Sequence, residues 1–159
     1  MRAVSLPLGV VPLAERYRTA EPVDAARYAG MEQEIRSRLA TGLTDFADQS
    51  RPDHLVGTAG TVTTLAALDL ELQTYDPGRV QGHVLRRDRV ERLLRDLSPL
   101  LASARAQLPC LPPGRADVIV PGTAICLAAM DHFGFRSVIV SDFGLREGIL
   151  IRHLSRSLP

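Results

Sequence analysis

Five small residues, Gly57, Thr58, Ala59, Gly60 and Thr61, join a short apolar stretch to a run with helical character. A turn at such a junction needs at most one glycine. Two glycines flanked by hydroxyls let a backbone come close to something else. Amides at the start of the following helix have no partner inside it, and they point along its axis at the positive end of the dipole. Thr58 and Thr61 add hydroxyl donors. This chemistry suits a phosphate oxygen. A plain helix N-cap, with Thr58 or Thr61 capping and no ligand, accounts for the same residues.

A second junction of the same kind is the stretch SDFGLREG at 141–148. Asp142 is positioned to cap the helix through its carboxylate. Arg146 falls early in that helix, where a cation opposes the dipole. It is easier to explain if it meets an anion or a carboxylate, although capping plus an Arg–Glu surface pair would also suffice. Gly144 and Gly148, four apart, leave one helix face bare. In the stretch GRADVIVPG, Arg115 and Asp117 form either a local ion pair or a solvated helix start.

Several chemistries are excluded. The 19 basic residues are all arginine, which rules out a Walker-type phosphate loop and Schiff-base catalysis. The histidines at 54, 83, 132 and 153 have no ligand spacing, so no metal is expected on this chain alone. There is no G-x-S-x-G elbow, and neither cysteine has a histidine near it in sequence, so a nucleophilic hydrolase is not supported. A net charge of +1, 4% aromatic residues and no tryptophan argue against nucleic acid as a partner. No apolar run is long enough to span a membrane, and the start is too weak for a signal peptide. Cys110 and Cys126, far apart, read as reduced thiols of a cytoplasmic protein.

The elements that would position these residues follow from periodicity. Residues 2–14 read as two short strands around Pro7, Leu8 and Gly9. A helix follows, with Met31, Ile35 and Leu39 on one face and Gly42 at its end. Residues 53–57 read as a strand, 61–72 as a helix and 74–85 as a loop. Residues 86–97 form an amphipathic helix striped by Val90, Leu93, Leu94 and Leu97. Pro99 breaks it, and a second helix runs to about Gln107. The segment 113–133 is either a strand followed by a helix or one buried helix that tolerates Pro121. Residues 137–141 are a central strand, and 142–158 close the chain as a helix. Alternating strands and helices in 159 residues indicate a single α/β domain.

Four stretches, SLPLGVVPLAE (5–15), VGTAGTVTTLAAL (56–68), RADVIVPGTAICLAAM (115–130) and VIVSDFGLREGIL (138–150), stand in the order seen in the Ppx/GppA family of exopolyphosphatases and guanosine pentaphosphate phosphatases. The chain resembles that family over nearly its whole length, most specifically in the G-T-A-G-T loop and the S-D-F-G-L-R-E-G segment.

The resemblance implies one lobe of the actin-like, ribonuclease H-like ATPase fold, a mixed sheet with helices packed on it. It implies removal of terminal phosphate from polyphosphate or pppGpp by a two-lobed enzyme with Mg²⁺. The chain resembles the second lobe only. The family's D-I-G-G-G-S strand and loop, the first lobe and the carboxylate thought to activate water have no counterpart here. No catalytic residue is therefore expected within the chain, and it should be inactive alone and bind no metal. Gly57, Thr58, Ala59, Gly60 and Thr61 would face phosphate, Asp142 and Arg146 would support them, and 113–133 would be one long helix. Without the lobe's first strand a neighbour keeps unpaired backbone groups, so a homo-oligomer is expected, alongside contact with the missing first lobe.

Overall fold

The computed structural model describes residues 3–44 and 52–157. Arg2 and Leu158, at the ends of the expected first strand and last helix, lie outside them. The chain opens with helix α1 (Val10–Arg16), and residues 3–9 form no strand. This corrects the two strands expected in 2–14. Pro12 is the third residue of α1, where a missing N–H costs nothing because first-turn amides have no helical partner.

Helix α2 (Ala25–Gly42) starts after Asp24, whose carboxylate accepts from the Arg27 amide at 2.9 Å. Its stripe of Met31, Ile35 and Leu39 is buried, as the periodicity requires. Strand β1 (Val56–Thr58) is shorter than expected, and helix α3 begins at Gly60 and ends at Asp69. The expected loop of 74–85 holds two further elements. One is a single helical turn, α4 (Pro77–Val80), capped by Asp76; the other is strand β2 (Val84–Arg86). Three residues are too few for a period-two signal, but Leu85 is wholly buried and anchors β2 in the sheet.

Helix α5 (Arg87–Leu97) follows at once. The second helix expected through Gln107 is only the turn α6 (Ala102–Arg105), because Arg105 folds inward there. Its guanidinium donates to the carbonyls of Leu97, Thr19, Ala116, Leu100 and Glu21, at 2.6–3.4 Å. A 3-10 turn, Pro113–Arg115, precedes the central helix α7 (Ile119–Phe133). The ambiguous segment is therefore a turn and a helix, with no strand and no helix beginning at 113. Pro121 again occupies a first turn, and Gly134 ends α7 at φ 69°. Strand β3 (Ser137–Ser141) leads into helix α8 (Leu145–Ser157).

The sheet order is β1-β3-β2. β1 runs parallel to β3, with Val56 opposite Ile139, and β2 runs antiparallel to it, with Leu85 opposite Val138. Val138 and Val140 are buried, while the residues between them are only partly covered. β3 is thus central but buried mainly on one face. α7 forms the hub of the core, touching α1, α2, α3 and α5. Gly122 lets α3 approach α7 closely: a Cβ there would lie 2.6 Å from the Thr61 hydroxyl at the start of α3.

Candidate anion-binding site

The backbone turns sharply between β1 and α3. Ala59 has φ 70° and ψ 175°, a region that only glycine occupies without strain. This residue is the N-cap of α3, and no side chain caps the helix. Thr63 instead uses its amide and hydroxyl on the Ala59 carbonyl, at 3.2 and 3.4 Å. The first-turn amides, those of Gly60, Thr61 and Val62, therefore have no capping oxygen from the N-cap side chain.

Ala59 and Gly60 line a cavity of about 570 Å³, together with Tyr75, Arg115, Asp142 and Arg146. Arg115 turns away from Asp117, with which it makes no ion pair among the described residues. Its guanidinium donates to the Gly60 carbonyl at 2.8 Å and to Thr64 Oγ1 at 3.1 Å. A Cβ on Gly60 would lie 2.3 Å from the centre of that guanidinium. The bare face of Gly60 thus receives Arg115, a cation that adds to the positive end of α3.

Asp142 does not cap α8. Its carboxylate accepts from the Tyr75 hydroxyl, and its amide donates to Gln81 Oε1 at 2.7 Å. The capping contact of this junction comes from Glu147, whose Oε2 accepts from the Gly144 amide at 2.7 Å. That bond, first among its causes, lowers the Glu147 carboxyl from its ordinary value. Asp142 sits too far upstream of Leu145 for the cap position, which falls on Gly144. Burial first, and then the bond to Asp142, raise the Tyr75 hydroxyl above its ordinary value. It therefore stays protonated and donating at neutral pH.

The five residues of the loop divide. Ala59 and Gly60 face the cavity. Gly57 serves packing, since a Cβ there would meet Val62 and Val138 at 2.9 and 3.0 Å. Thr61 rests on Gly122 and, with Gly57, lines a separate groove. Thr58 ends β1 and is exposed. Asp142 and Arg146, 82 or more positions away in sequence, come to the same cavity as Ala59 and Gly60. Two further members, Tyr75 and Arg115, were not identified as site residues from sequence. The sequence reading of Arg115, an ion pair with Asp117 or a solvated helix start, gave it no part in this site.

The electrostatics favour an anion. Two guanidinium groups face one carboxylate, which is already bonded to Tyr75. A magnesium ion would find that single carboxylate beside two cations, so the donor set does not fit a metal held by this chain. Among the described residues no group of three acidic, histidine or cysteine side chains is placed to hold one.

The profile of the Ppx/GppA phosphatase family matches residues 1–157. Exopolyphosphatase 1 of Mycobacterium leprae is 28% identical over 152 residues, 96% of this chain and 44% of the relative. Exopolyphosphatase 2 of Mycobacterium tuberculosis is 30% identical, over 92% of this chain and 47% of the relative. The crystal structure of the Aquifex aeolicus Ppx/GppA family member superposes with a TM-score of 0.90 at 29% identity, over 100% of this chain and 50% of that one. The chain thus spans about half the length of the relatives it matches.

Proposed function

The chain belongs to the Ppx/GppA phosphatase family, and we propose that it is the phosphate-holding second lobe of a phosphoanhydride hydrolase acting on polyphosphate or pppGpp. The observation that carries this reading is the meeting of the strained Ala59–Gly60 turn, Arg115 and Arg146 in one cavity. Terminal phosphate oxygens would bind at the Ala59–Gly60 turn, beside the Gly60 amide and flanked by the two guanidinium groups. Arg115 is pre-aimed by its bonds to Gly60 and Thr64. Fixed donors of this kind stabilise charge that builds on a transferring phosphoryl group.

In-line attack also needs a positioned water and a metal. Asp142 is committed to Tyr75, so water activation and Mg²⁺ belong to a first lobe. The isolated chain is inactive in this reading and works against that partner. No described helix is long and apolar enough to cross a membrane. A reducing, cytoplasmic setting suits Cys110 and Cys126, both free. Burial pushes the Cys126 thiol up to about 11, which keeps it protonated. Self-association through the open edge of β1 completes the reading.

A purely structural lobe is the rival, and the bonds that tie Arg115 to Gly60 and Thr64 favour it. Calorimetric titration with tripolyphosphate separates the two. Binding that weakens at least tenfold in both Gly60→Val and Arg115→Gln supports the phosphate-holding lobe. Under the structural reading wild type does not bind, and Gly60→Val alters melting alone. Long-chain polyphosphate with Mg²⁺ should release no phosphate in the presence of the chain alone; release would overturn the assignment of chemistry to another lobe.

A further inference from the structure

The anion cavity brings one carboxylate and two guanidinium groups together, yet among the described residues none of the three is paired with another. Asp142, the one acidic side chain on its described wall, bonds to the Tyr75 hydroxyl instead. Arg115 donates to two neutral oxygens, the Gly60 carbonyl and Thr64 Oγ1. Arg146, a turn beyond Asp142 in sequence, makes no ion pair among the described residues. Glu147, next to it, uses Oε2 on the Gly144 amide at 2.7 Å. A carboxylate and a guanidinium group that share a cavity ordinarily pair through parallel charge-assisted hydrogen bonds. Their separation here needs a cause.

The cause is the segment that carries Tyr75. Behind it, α4 is capped by Asp76, whose carboxylate accepts from the Gly78 amide at 2.9 Å, and Val80 is wholly buried. Past α4, the Gly82 amide donates to the Val140 carbonyl, and the Val140 amide donates to the His83 carbonyl, both at 2.8 Å. The His83 ring meets Asp69, the last residue of α3, also at 2.8 Å. The segment is thus fastened to β3 and to α3. From this mount it grips Asp142 twice: the Tyr75 hydroxyl donates to the carboxylate, and Gln81 Oε1 accepts from the amide at 2.7 Å. A cation stands close enough to compete for the carboxylate. Burial first, and then Asp142, raise the Tyr75 hydroxyl, while the Arg115 charge, felt at the same hydroxyl, opposes the rise. Arg115 is therefore within electrostatic reach of the carboxylate that the hydroxyl holds.

We propose that Tyr75 is a positioning residue: its hydroxyl holds Asp142 off Arg115 and Arg146, and so leaves both guanidinium groups for the phosphate oxygens of the ligand. This rests on reading the cavity as a phosphate site. Without the hydroxyl, the Asp142 side chain turns to one of the two arginines. The donors of that guanidinium group are then occupied, and an incoming phosphate must break the pair before it binds. Tyr75 acts on the ligand only through Asp142.

Calorimetric titration of the chain with tripolyphosphate tests this. Tyr75→Phe keeps the ring and removes only the hydroxyl. It should weaken binding about tenfold or more, the loss of one charge-assisted contact. Asp142→Asn should bind more tightly than wild type, since no carboxylate is left to compete. The double variant Tyr75→Phe/Asp142→Asn should match Asp142→Asn, a recovery that a merely structural role of Tyr75 would not give. Unchanged binding in Tyr75→Phe, or a double variant as weak as Tyr75→Phe, overturns the proposal. A second readout needs no ligand: phenylglyoxal labelling of Arg115 and Arg146, followed by peptide mass mapping. One of the two should label about threefold or more slowly in Tyr75→Phe than in wild type, because it is paired, and should recover in the double variant. Equal labelling in all variants overturns the proposal. Wild type that fails to bind tripolyphosphate refutes the phosphate reading instead; slowed and rescued labelling then still supports the restraint of Asp142 by Tyr75.

Discussion

Ala59 and Arg105 both depart from what their types ordinarily do. Ala59 holds a glycine-only conformation, a strain of about 1–3 kcal/mol. Strain of this kind persists where surrounding packing enforces it, and here Thr61 on Gly122 and Gly57 on Val138 fix both sides of the turn. Ala59→Gly should raise stability by about 1 kcal/mol and the melting temperature by about 2–4 °C. It should also loosen tripolyphosphate binding, because the turn is then less fixed. A lower melting temperature in that variant would show that the turn is not strained. Arg105 is the second case, a fully buried guanidinium without a salt-bridge partner among the described residues, held by five carbonyls. Burial lowers it from its ordinary value, yet it remains charged. Arg105→Met strands those carbonyls and should cost about 3 kcal/mol in urea unfolding. Arg105→Lys should not restore the loss, since one ammonium cannot span five acceptors; full recovery would refute the clamp.

At the level of elements, α2, α5 and α7 meet on Asp131. Arg87 donates to it at 2.6 Å and Arg36 at 3.0 Å. The Arg87 bond first, and the Arg36 bond after it, hold the Asp131 carboxyl below its ordinary value. Its folded value is thus depressed, so its contribution is present above the unfolded value of about 3.8 and is lost as pH falls through the folded value. Asp131→Asn should destabilise the chain by about 1–3 kcal/mol at pH 7 and flatten the acid limb of the stability curve below about pH 4. An unchanged acid limb would remove Asp131 from the account. Such junctions also explain what the sequence could reveal. The stripe of Met31, Ile35 and Leu39 and the β-branched run of β3 carry their periodicity within one element and were legible. The strand β2 was not, because three residues join the sheet only through β3. Pro12 and Pro121 misled because a proline in a first helical turn and one at a strand end look alike until the helix is placed. In the cavity, the G-T-A-G-T loop announced itself by its glycines. Arg115 and Tyr75 reach it only through tertiary folding.

At the level of the whole molecule, the two edges of the sheet are treated differently. Beside β2 stand Arg86, Arg87 and Arg136, charges that discourage a further strand. Beside β1 lies an apolar groove of about 310 Å³ lined by Leu8, Val10, Leu55, Val62 and Ile125. Val56 in β1 is 55% exposed, and β1 has β3 as its single neighbour in the described sheet. An edge with free backbone groups and an uncharged groove alongside recruits a strand, and in the chain by itself a second copy is the available donor. Sedimentation should therefore reveal reversible association that grows with concentration. Val56→Lys places a charge on the edge and should shift the chain toward monomer, while Leu150→Asp/Leu154→Asp on α8 should not. A monodisperse monomer at high concentration, or association that responds to the α8 variant and not to Val56→Lys, would show that the β1 edge is closed in solution.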